Sequence, residues 1–341
     1  MADAARARPV SLQALRISLG RPPVWLAVFA IEALLALAPA LITRIWLSGA
    51  IDHRYARGSL FGNLDPTFRF DWRQDKGTLD ETMGMLGAVL VALSVLFGTF
   101  AAGGWLQVLL EQTQGHSLQR FFLGGARYFW RFFRLTLVTT LVLAALTFVV
   151  HGPGWNRLVL RGLLHVPAGD VEKLETFTSE WSAVLVRWAQ QSIYAVGFGL
   201  VLVWGDYTRT RLALHDTASA VWAGIRTAFT MLRHPIRTLR PVTVLFGIEV
   251  ALLVGAGTLA RRVEEVVARG SGLGGVGLLL ALTVFALLGR IVLRGARYHA
   301  AVQVSREVVR PIARPDPWRG SLGAEGGPRY PIGGDEFGMS L

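Results

Sequence analysis

Six long apolar blocks constrain the fold of this chain more than any other feature of its sequence. Each block holds about twenty residues with few charged side chains. A helix of about twenty residues crosses the roughly 30 Å hydrocarbon core of a bilayer, so such blocks predict membrane-spanning helices. We therefore predict an all-α, polytopic helical membrane bundle, with spans at residues 24–42, 85–106, 132–150, 183–204, 242–260 and 273–292.

The composition agrees with a membrane protein and excludes several kinds of site. Hydrophobic residues make up 52% of the 341-residue chain and charged residues only 17%. There is no cysteine, which excludes disulfides, thiolate metal sites and thiol nucleophiles. The net charge of +12 would suit either nucleic acid or anionic lipid as a partner. The distribution of arginine along the chain decides between them.

Arginines are concentrated in alternate segments between the predicted spans. The N-terminal stretch and residues 107–134, 206–240 and 294–314 are rich in arginine and poor in acids. Short arginine-rich segments stay in the cytoplasm, so both termini are predicted to lie there. The intervening segments have balanced charge and are predicted to be extracytoplasmic loops, at residues 46–83, 152–182 and 261–270.

Two of these loops and the C-terminal tail carry further predictions. The first loop is expected to be mostly irregular, with a short strand near Phe68–Trp72. The second is expected to hold a short helix from about Asp170, which is a suitable N-cap. Residues 1–310 would form the membrane domain. Residues 311–341 are rich in Pro, Gly and Arg and are predicted to be a disordered cytoplasmic tail.

The stretch GGARYFWRFFRL, residues 124–135, interleaves basic and aromatic side chains just before the third span. Rings and cations on one surface would suit single-stranded nucleic acid. On a helical wheel, however, the arginines of residues 107–134 fall within roughly 60° of one another, opposite several of the rings. That separation predicts an interfacial helix that binds anionic lipid headgroups and no nucleic acid. The predicted lipid-binding side chains are Arg120, Arg127, Arg131 and Arg134.

The arginine spacing of 7, 4 and 3 residues recurs before the fifth span, which suggests an internal repeat. The second set is interrupted by Pro235, which weakens the same-face argument there. The segments RPPVWLAVFAIE (21–32) and RPVTVLFGIE (240–249) are also alike. These matches predict three units, each an amphipathic helix followed by a membrane hairpin. The second set of predicted lipid-binding arginines is Arg226, Arg233, Arg237 and Arg240.

Two carboxylates lie at similar depth inside predicted spans, Glu32 in the first and Glu249 in the fifth. A carboxylate there costs a few kcal/mol unless it is paired, protonated or facing water. The pair could handle protons or cations in a transporter, or each could form a structural ion pair, for which Arg290 is a candidate partner of Glu249. Gln190 and Gln191 in the fourth span are expected to hydrogen-bond between helices.

The sequence carries no catalytic motif. H-E-x-x-H, G-x-S-x-G and the Walker A lysine loop are all missing. The segment GLGGVG (272–277) matches G-x-G-x-x-G but begins a predicted span, where small residues favour close helix packing. We therefore expect no enzymatic activity, no catalytic residue, no cofactor and no metal.

The arrangement of spans and arginine-rich entrances resembles that of uncharacterised bacterial six-span membrane proteins. It is also similar to the membrane domain fused to some glycerophosphodiester phosphodiesterases. The resemblance rests on FFLGGARYFWRFFRL (121–135) and RTRLALHDTASAVWAGIRTAFTMLRHPIRTLRP (209–241). It implies a scaffold or accessory role in the bacterial inner membrane, organising lipids and either protein partners or further copies of the same chain. The alternative is a small transporter or permease that uses Glu32 and Glu249.

Overall fold

The structure, a computed structural model, confirms the predicted fold class. It describes residues 10–51, 66–111, 116–165, 179–215, 217, 219–267 and 272–308. Within these ranges the regular elements are all helical and no strand occurs. The chain up to Arg310 forms one compact unit. The predicted tail, residues 311–341, lies outside the described residues, as does the helix expected from Asp170.

Six long helices account for most of the described residues, and three shorter helices accompany them. A π-helical segment, Asn156–Leu163, follows the fifth helix. In chain order the helices are α1 (Val10–Leu19), α2 (Pro22–Ile51), α3 (Pro66–Glu111), α4 (Ser117–His151), α5 (Pro153–Trp155), α6 (Glu180–His215), α7 (Ala220–Arg233), α8 (Pro235–Val267) and α9 (Gly272–Val308).

Five of the long helices are apolar enough to cross a membrane, and they correspond to five of the six predicted spans. In the most apolar 18 residues of each of these helices, at most 17% of the residues are buried inside the protein. Most of their apolar side chains therefore face outward, as lipid contact requires. The remaining predicted span, 183–204, lies within α6. That helix has 36 residues but is less apolar, because Arg187, Gln190 and Gln191 interrupt its apolar run. The protein is therefore a multi-pass membrane protein.

The helices extend well beyond the predicted spans, and the prediction for the first outer loop was wrong. No strand forms near Phe68–Trp72, because α3 already begins at Pro66. Proline at the first position of a helix loses no hydrogen bond, and each residue added to an existing helix adds one. Only residues 52–65 of the predicted loop lie outside the described helices. Likewise, α8 continues to Val267, through most of the predicted loop 261–270.

The three predicted units differ from one another. The short helices α1 and α7 each precede a pair of long helices, α2 and α3 or α8 and α9, as the repeat predicts. In the middle unit, the described residues contain no separate amphipathic helix before the hairpin. The segment expected to form one is the first half of α4, which runs without a break from Ser117 to His151.

Helices α3 and α4 approach each other closely at a crossing that contains two glycines from each helix. Gly103 of α3 lies against Gly124 and Gly125 of α4, Gly104 lies against Phe121, and Gly125 lies against Phe100. A Cβ atom on Gly103 would lie 2.8 Å from the carbonyl oxygen of Gly124. Small residues at such a crossing let two backbones touch, which maximises dispersion contact between helices in lipid. The crossing continues into a buried aromatic cluster that includes Trp105, Phe121, Tyr128 and Phe132.

Candidate functional site: a charged network inside the bundle

The second half of α9 is the centre of the bundle and carries three arginines along one side. Arg290, Arg294 and Arg297 are separated by four and three residues, which places them on one face of the helix. The surrounding stretch 291–304 is almost entirely buried. Residues 293–308 lie beyond the predicted sixth span, and the sequence suggested a cytoplasmic segment there. Most of the side chains from 293 to 304 are buried, so this part of α9 belongs to the core of the protein.

Glu249 on α8 is paired with two of these arginines. Its side chain is buried, with only 8% of the residue exposed. Carboxylate oxygen Oε2 lies 2.8 Å from Nη1 of Arg297, and Oε1 lies 3.9 Å from Nε of Arg290. The predicted partner Arg290 is therefore close but is the weaker contact, since its side chain is 54% exposed. The Phe246 ring packs 5.6 Å from the Arg297 guanidinium.

Asp206 on α6 completes the pairing of Arg297 from the opposite side. Its Oδ2 atom lies 3.5 Å from Nε of Arg297, and its Oδ1 atom accepts a hydrogen bond from Nη1 of Arg209 at 3.3 Å. Asp206 is 4% exposed. Arg297 is thus held between two buried carboxylates from two different helices, and it connects α6, α8 and α9.

Arg294 extends the network toward α2 and α3. Its Nη2 atom donates to the carbonyl oxygen of Gly98 on α3 at 3.2 Å, and its Nε atom donates to the Tyr298 hydroxyl at 3.4 Å. The charges of Asp206 and Glu32 both act on this guanidinium. Glu32 is half-buried on α2. Of the two carboxylates predicted as a pair, Glu249 therefore contacts arginines of α9 directly, whereas Glu32 acts on Arg294 only through its charge.

Buried charges of this kind are stable only as a set. Transfer of a lone carboxylate or guanidinium from water into a protein interior costs several kcal/mol, and an opposite charge at hydrogen-bond distance offsets that cost. Here Asp206 of α6 and Glu249 of α8 bind Arg209, Arg290 and Arg297, so five side chains from three helices form one connected set of opposite charges. The arrangement can hold these helices in one register. Within the described residues, no cluster of His, Asp and Glu could hold a metal ion.

The interfacial prediction is wrong for Arg120. This residue is 2% exposed and its Nε atom lies 3.2 Å from Oε2 of Glu111. Gln107 donates to the other oxygen of the same carboxylate. The helical wheel placed Arg120 on a lipid-facing side, but the glycine pairs bring this side of α4 against α3. Of the other three arginines, Arg127 and Arg134 are exposed and Arg131 is partly exposed.

The second set of arginines lies on a more open surface. Arg226, Arg233, Arg237 and Arg240 are all exposed. The guanidinium of Arg226 stacks 4.6 Å from the Trp222 ring. The helix that carries the first two of these arginines, α7, is short because Pro235 starts a new helix directly after it. Pro235, which weakened the argument that these four arginines share one helical face, is therefore also the residue that separates α7 from α8.

The two glutamines of α6 have different surroundings. Gln190 donates from Nε2 to the carbonyl oxygen of Val150 on α4 at 2.6 Å, a hydrogen bond between two helices. This is the kind of contact that the sequence predicted for it. Gln191 is exposed on the outside of the same helix.

Sequence reasoning missed three central residues of the network. Asp206, Arg294 and Arg297 lie outside the apolar blocks, so they were counted only as charges of cytoplasmic segments. A usable signal was the spacing of Arg290, Arg294 and Arg297, which repeats along one helical face. No protein-family model, no curated protein and no solved structure matches this chain.

Proposed function

We propose that this protein is a non-enzymatic component of the bacterial inner membrane that organises lipids or protein partners. The observation that carries the proposal is the outward face of α7, which is apolar and bordered by arginines. Such a helix binds the boundary between headgroups and acyl chains, with its guanidinium groups on lipid phosphates.

The structure of α7 supports an interfacial position. Its first turn is capped by Ser219, whose hydroxyl accepts a hydrogen bond from the Trp222 backbone N–H. The inner face packs on α6, where Nε1 of Trp204 donates to the carbonyl oxygen of Gly224 at 2.9 Å. The outer face is apolar and open: Phe229 is 71% and Leu232 80% exposed. A face of this kind is costly in water and favourable in a lipid interface.

Spin labels can measure the depth of α7 in lipid. The chain has no cysteine, so a single cysteine at Phe229 or Leu232 can be labelled selectively. In nanodiscs with anionic lipid, we expect a nitroxide at either site to be more accessible to oxygen than to a water-soluble nickel complex. The matched control is Arg16→Cys on α1, an exposed position that we expect to favour the nickel complex. Equal nickel accessibility at all three sites would contradict the interfacial position.

We also propose that both termini lie in the cytoplasm, because the arginine-rich segments cluster at one end of the helices. The test is labelling of single cysteines with a membrane-impermeant maleimide in intact spheroplasts. Leu163→Cys in the π-helical segment is expected to react at once, since Leu163 is 73% exposed at the opposite end. Arg16→Cys is expected to react only after lysis, and the reverse pattern would invert the topology.

The pairing of Glu249 favours a structural role over the alternative, a transporter. The carboxylate of Glu249 lies 2.8 Å from Nη1 of Arg297, so it is engaged in an ion pair between helices rather than open to a transported ion. Glu32→Gln and Glu249→Gln should therefore lower thermal stability in detergent without removing any proton-coupled flux from proteoliposomes. A wild-type flux that both substitutions abolish, with folding and oligomeric state intact, would overturn the proposal.

A further inference from the structure

A cavity of about 490 Å³, lined by both polar and apolar side chains, opens where α1, α3 and α9 meet. It lies next to the point where Nη2 of Arg306 donates to the carbonyl oxygen of Leu110, at the end of α3. Neither Arg297 nor its carboxylate partners line it. The cavity is therefore separate from the charged network, and the proposed function does not use it.

Two side chains in this cavity have buried polar atoms without a hydrogen-bond partner among the described residues. His299 is 4% exposed, and its Nδ1 atom makes no hydrogen bond there. One turn along α9, the side-chain oxygen of Gln303 is also buried without one. Buried polar atoms are nearly always paired, so unpaired ones at a cavity wall are suited to a ligand or to water. The amide of Gln303 can present its NH₂ group by rotation.

Positive charge is concentrated around the same cavity. Arg21 and Arg306 line it on different sides, from the α1–α2 junction and from α9. Burial, together with the charge of Arg120, lowers the pKa of Arg21 below its ordinary value. The nearby acid Glu111 is already neutralised by Arg120. One further acid, Glu307, lies exposed at the edge of the cavity. Guanidinium groups on several sides favour an oxyanion.

The remaining wall of the cavity is apolar, which restricts the kind of anion further. Ile17, Leu109 and Val302 line it, and the last two are buried. The volume far exceeds that of an isolated phosphate or sulfate and lies within the range typical of small-molecule sites. A ligand that fills it therefore needs an anionic group for the arginines and an organic part for the apolar wall.

We propose that this cavity binds the phosphate group of an organic phosphate, with Arg21 and Arg306 on the phosphate oxygens and His299 and Gln303 as further donors. Donors on α9 and at the start of α2 approach from different directions, which suits a tetrahedral phosphate better than a planar carboxylate. The phosphate can belong to an anionic phospholipid headgroup, which is a phosphodiester, or to a soluble phosphomonoester, since both present anionic phosphate oxygens.

The test uses the full chain in nanodiscs and measures thermal unfolding and equilibrium binding. Phenyl phosphate is the soluble probe in nanodiscs of phosphatidylcholine alone, and phosphatidylglycerol in the nanodisc is the lipid probe. Stabilisation by phenyl phosphate identifies a soluble ligand, and stabilisation only by phosphatidylglycerol identifies a headgroup. No stabilisation by either probe, or an equal effect of sodium chloride at matched ionic strength, would overturn the proposal.

Variants then locate the binding site. Arg21→Gln and Gln303→Leu are each expected to weaken binding of the effective probe about tenfold, the loss typical of one charged or buried hydrogen bond. Arg16→Gln is the matched control, because Arg16 is an exposed arginine of α1 outside the cavity wall and should leave affinity unchanged. Equal loss in all three variants would indicate general charge attraction and would contradict a built site. The spin-label depth of α7 is an independent measurement, so the two proposals can fail separately.

Discussion

Replacement of Arg297 with methionine is expected to lower the free energy of unfolding by about 3–5 kcal/mol, the range for breaking a buried ion pair. The cause is not the loss of attraction alone. Without this guanidinium, Glu249 and Asp206 remain as two buried carboxylates that repel each other. Methionine matches the arginine stem in length, so the change in packing is small. Reversible unfolding with SDS in mixed micelles gives the free energy directly.

Arg290→Met is the matched control for this prediction. Arg290 lies two turns earlier on the same helix and also faces Glu249, but at 3.9 Å and with a side chain that is 54% exposed. A partly exposed pair contributes only about 0–1 kcal/mol. We therefore expect a large difference between the two variants. Equally small losses of stability in both variants would mean that α9 tolerates the loss of either arginine and that the network does not hold the bundle together.

Neutralisation of the carboxylates should rescue the variant. In Arg297→Met, adding Glu249→Gln and Asp206→Asn removes the two buried carboxylates that have lost their shared partner and should recover a substantial part of the lost stability. The same two substitutions in the wild-type background should destabilise, since they leave Arg297 unpaired. The two carboxylate substitutions should thus stabilise Arg297→Met but destabilise the wild type, and such opposite effects on stability are specific to a charge network. Loss of packing alone would make the effects of the three substitutions add.

Much of the fold followed from the apolar blocks, because twenty apolar residues in sequence have few alternatives to a membrane helix. The helix ends were not predictable in the same way. Residues 66–83 and 293–308 are helical although they are polar, because they extend helices that the apolar blocks already fix. The hydropathy pattern identifies the apolar segments that cross the bilayer, but it does not show how far each helix continues into polar sequence.

The charged network was half predictable for a related reason. Glu249 attracts attention because a carboxylate in an apolar run is costly, whereas Arg297 follows its apolar block and resembles an ordinary cytoplasmic arginine. Similarly, Arg120 was predicted to contact lipid because a helical wheel shows on which side of a helix a residue lies but not which other helix packs against that side. The two glycine pairs, in AAGG of α3 and LGGA of α4, were the available signal that this side of α4 is buried.

That glycine crossing gives the second large prediction, made with Gly103→Leu in α3. A Cβ atom at this position would lie 2.8 Å from a backbone carbonyl oxygen and 3.2 Å from Cβ of Tyr128. A backbone atom cannot move aside by changing rotamer, so the two helices must separate. We expect a loss of about 3 kcal/mol, the upper part of the usual range for overpacking. SDS unfolding measures it on the same scale as the arginine variants.

Gly87→Leu on the same helix separates this steric effect from the general effect of replacing a glycine. No atom lies within 4 Å of a Cβ built at Gly87, so leucine there should be neutral or stabilise α3 by up to about 1 kcal/mol. A graded series at Gly103 sharpens the comparison, since Ala should cost less than Val and Val less than Leu.

Separation of α3 from α4 also moves Glu111 away from Arg120, which would leave two buried charges unpaired. The cost at Gly103 should therefore fall when Arg120→Met and Glu111→Gln are introduced together, and an unchanged cost would show that the crossing and this ion pair are independent.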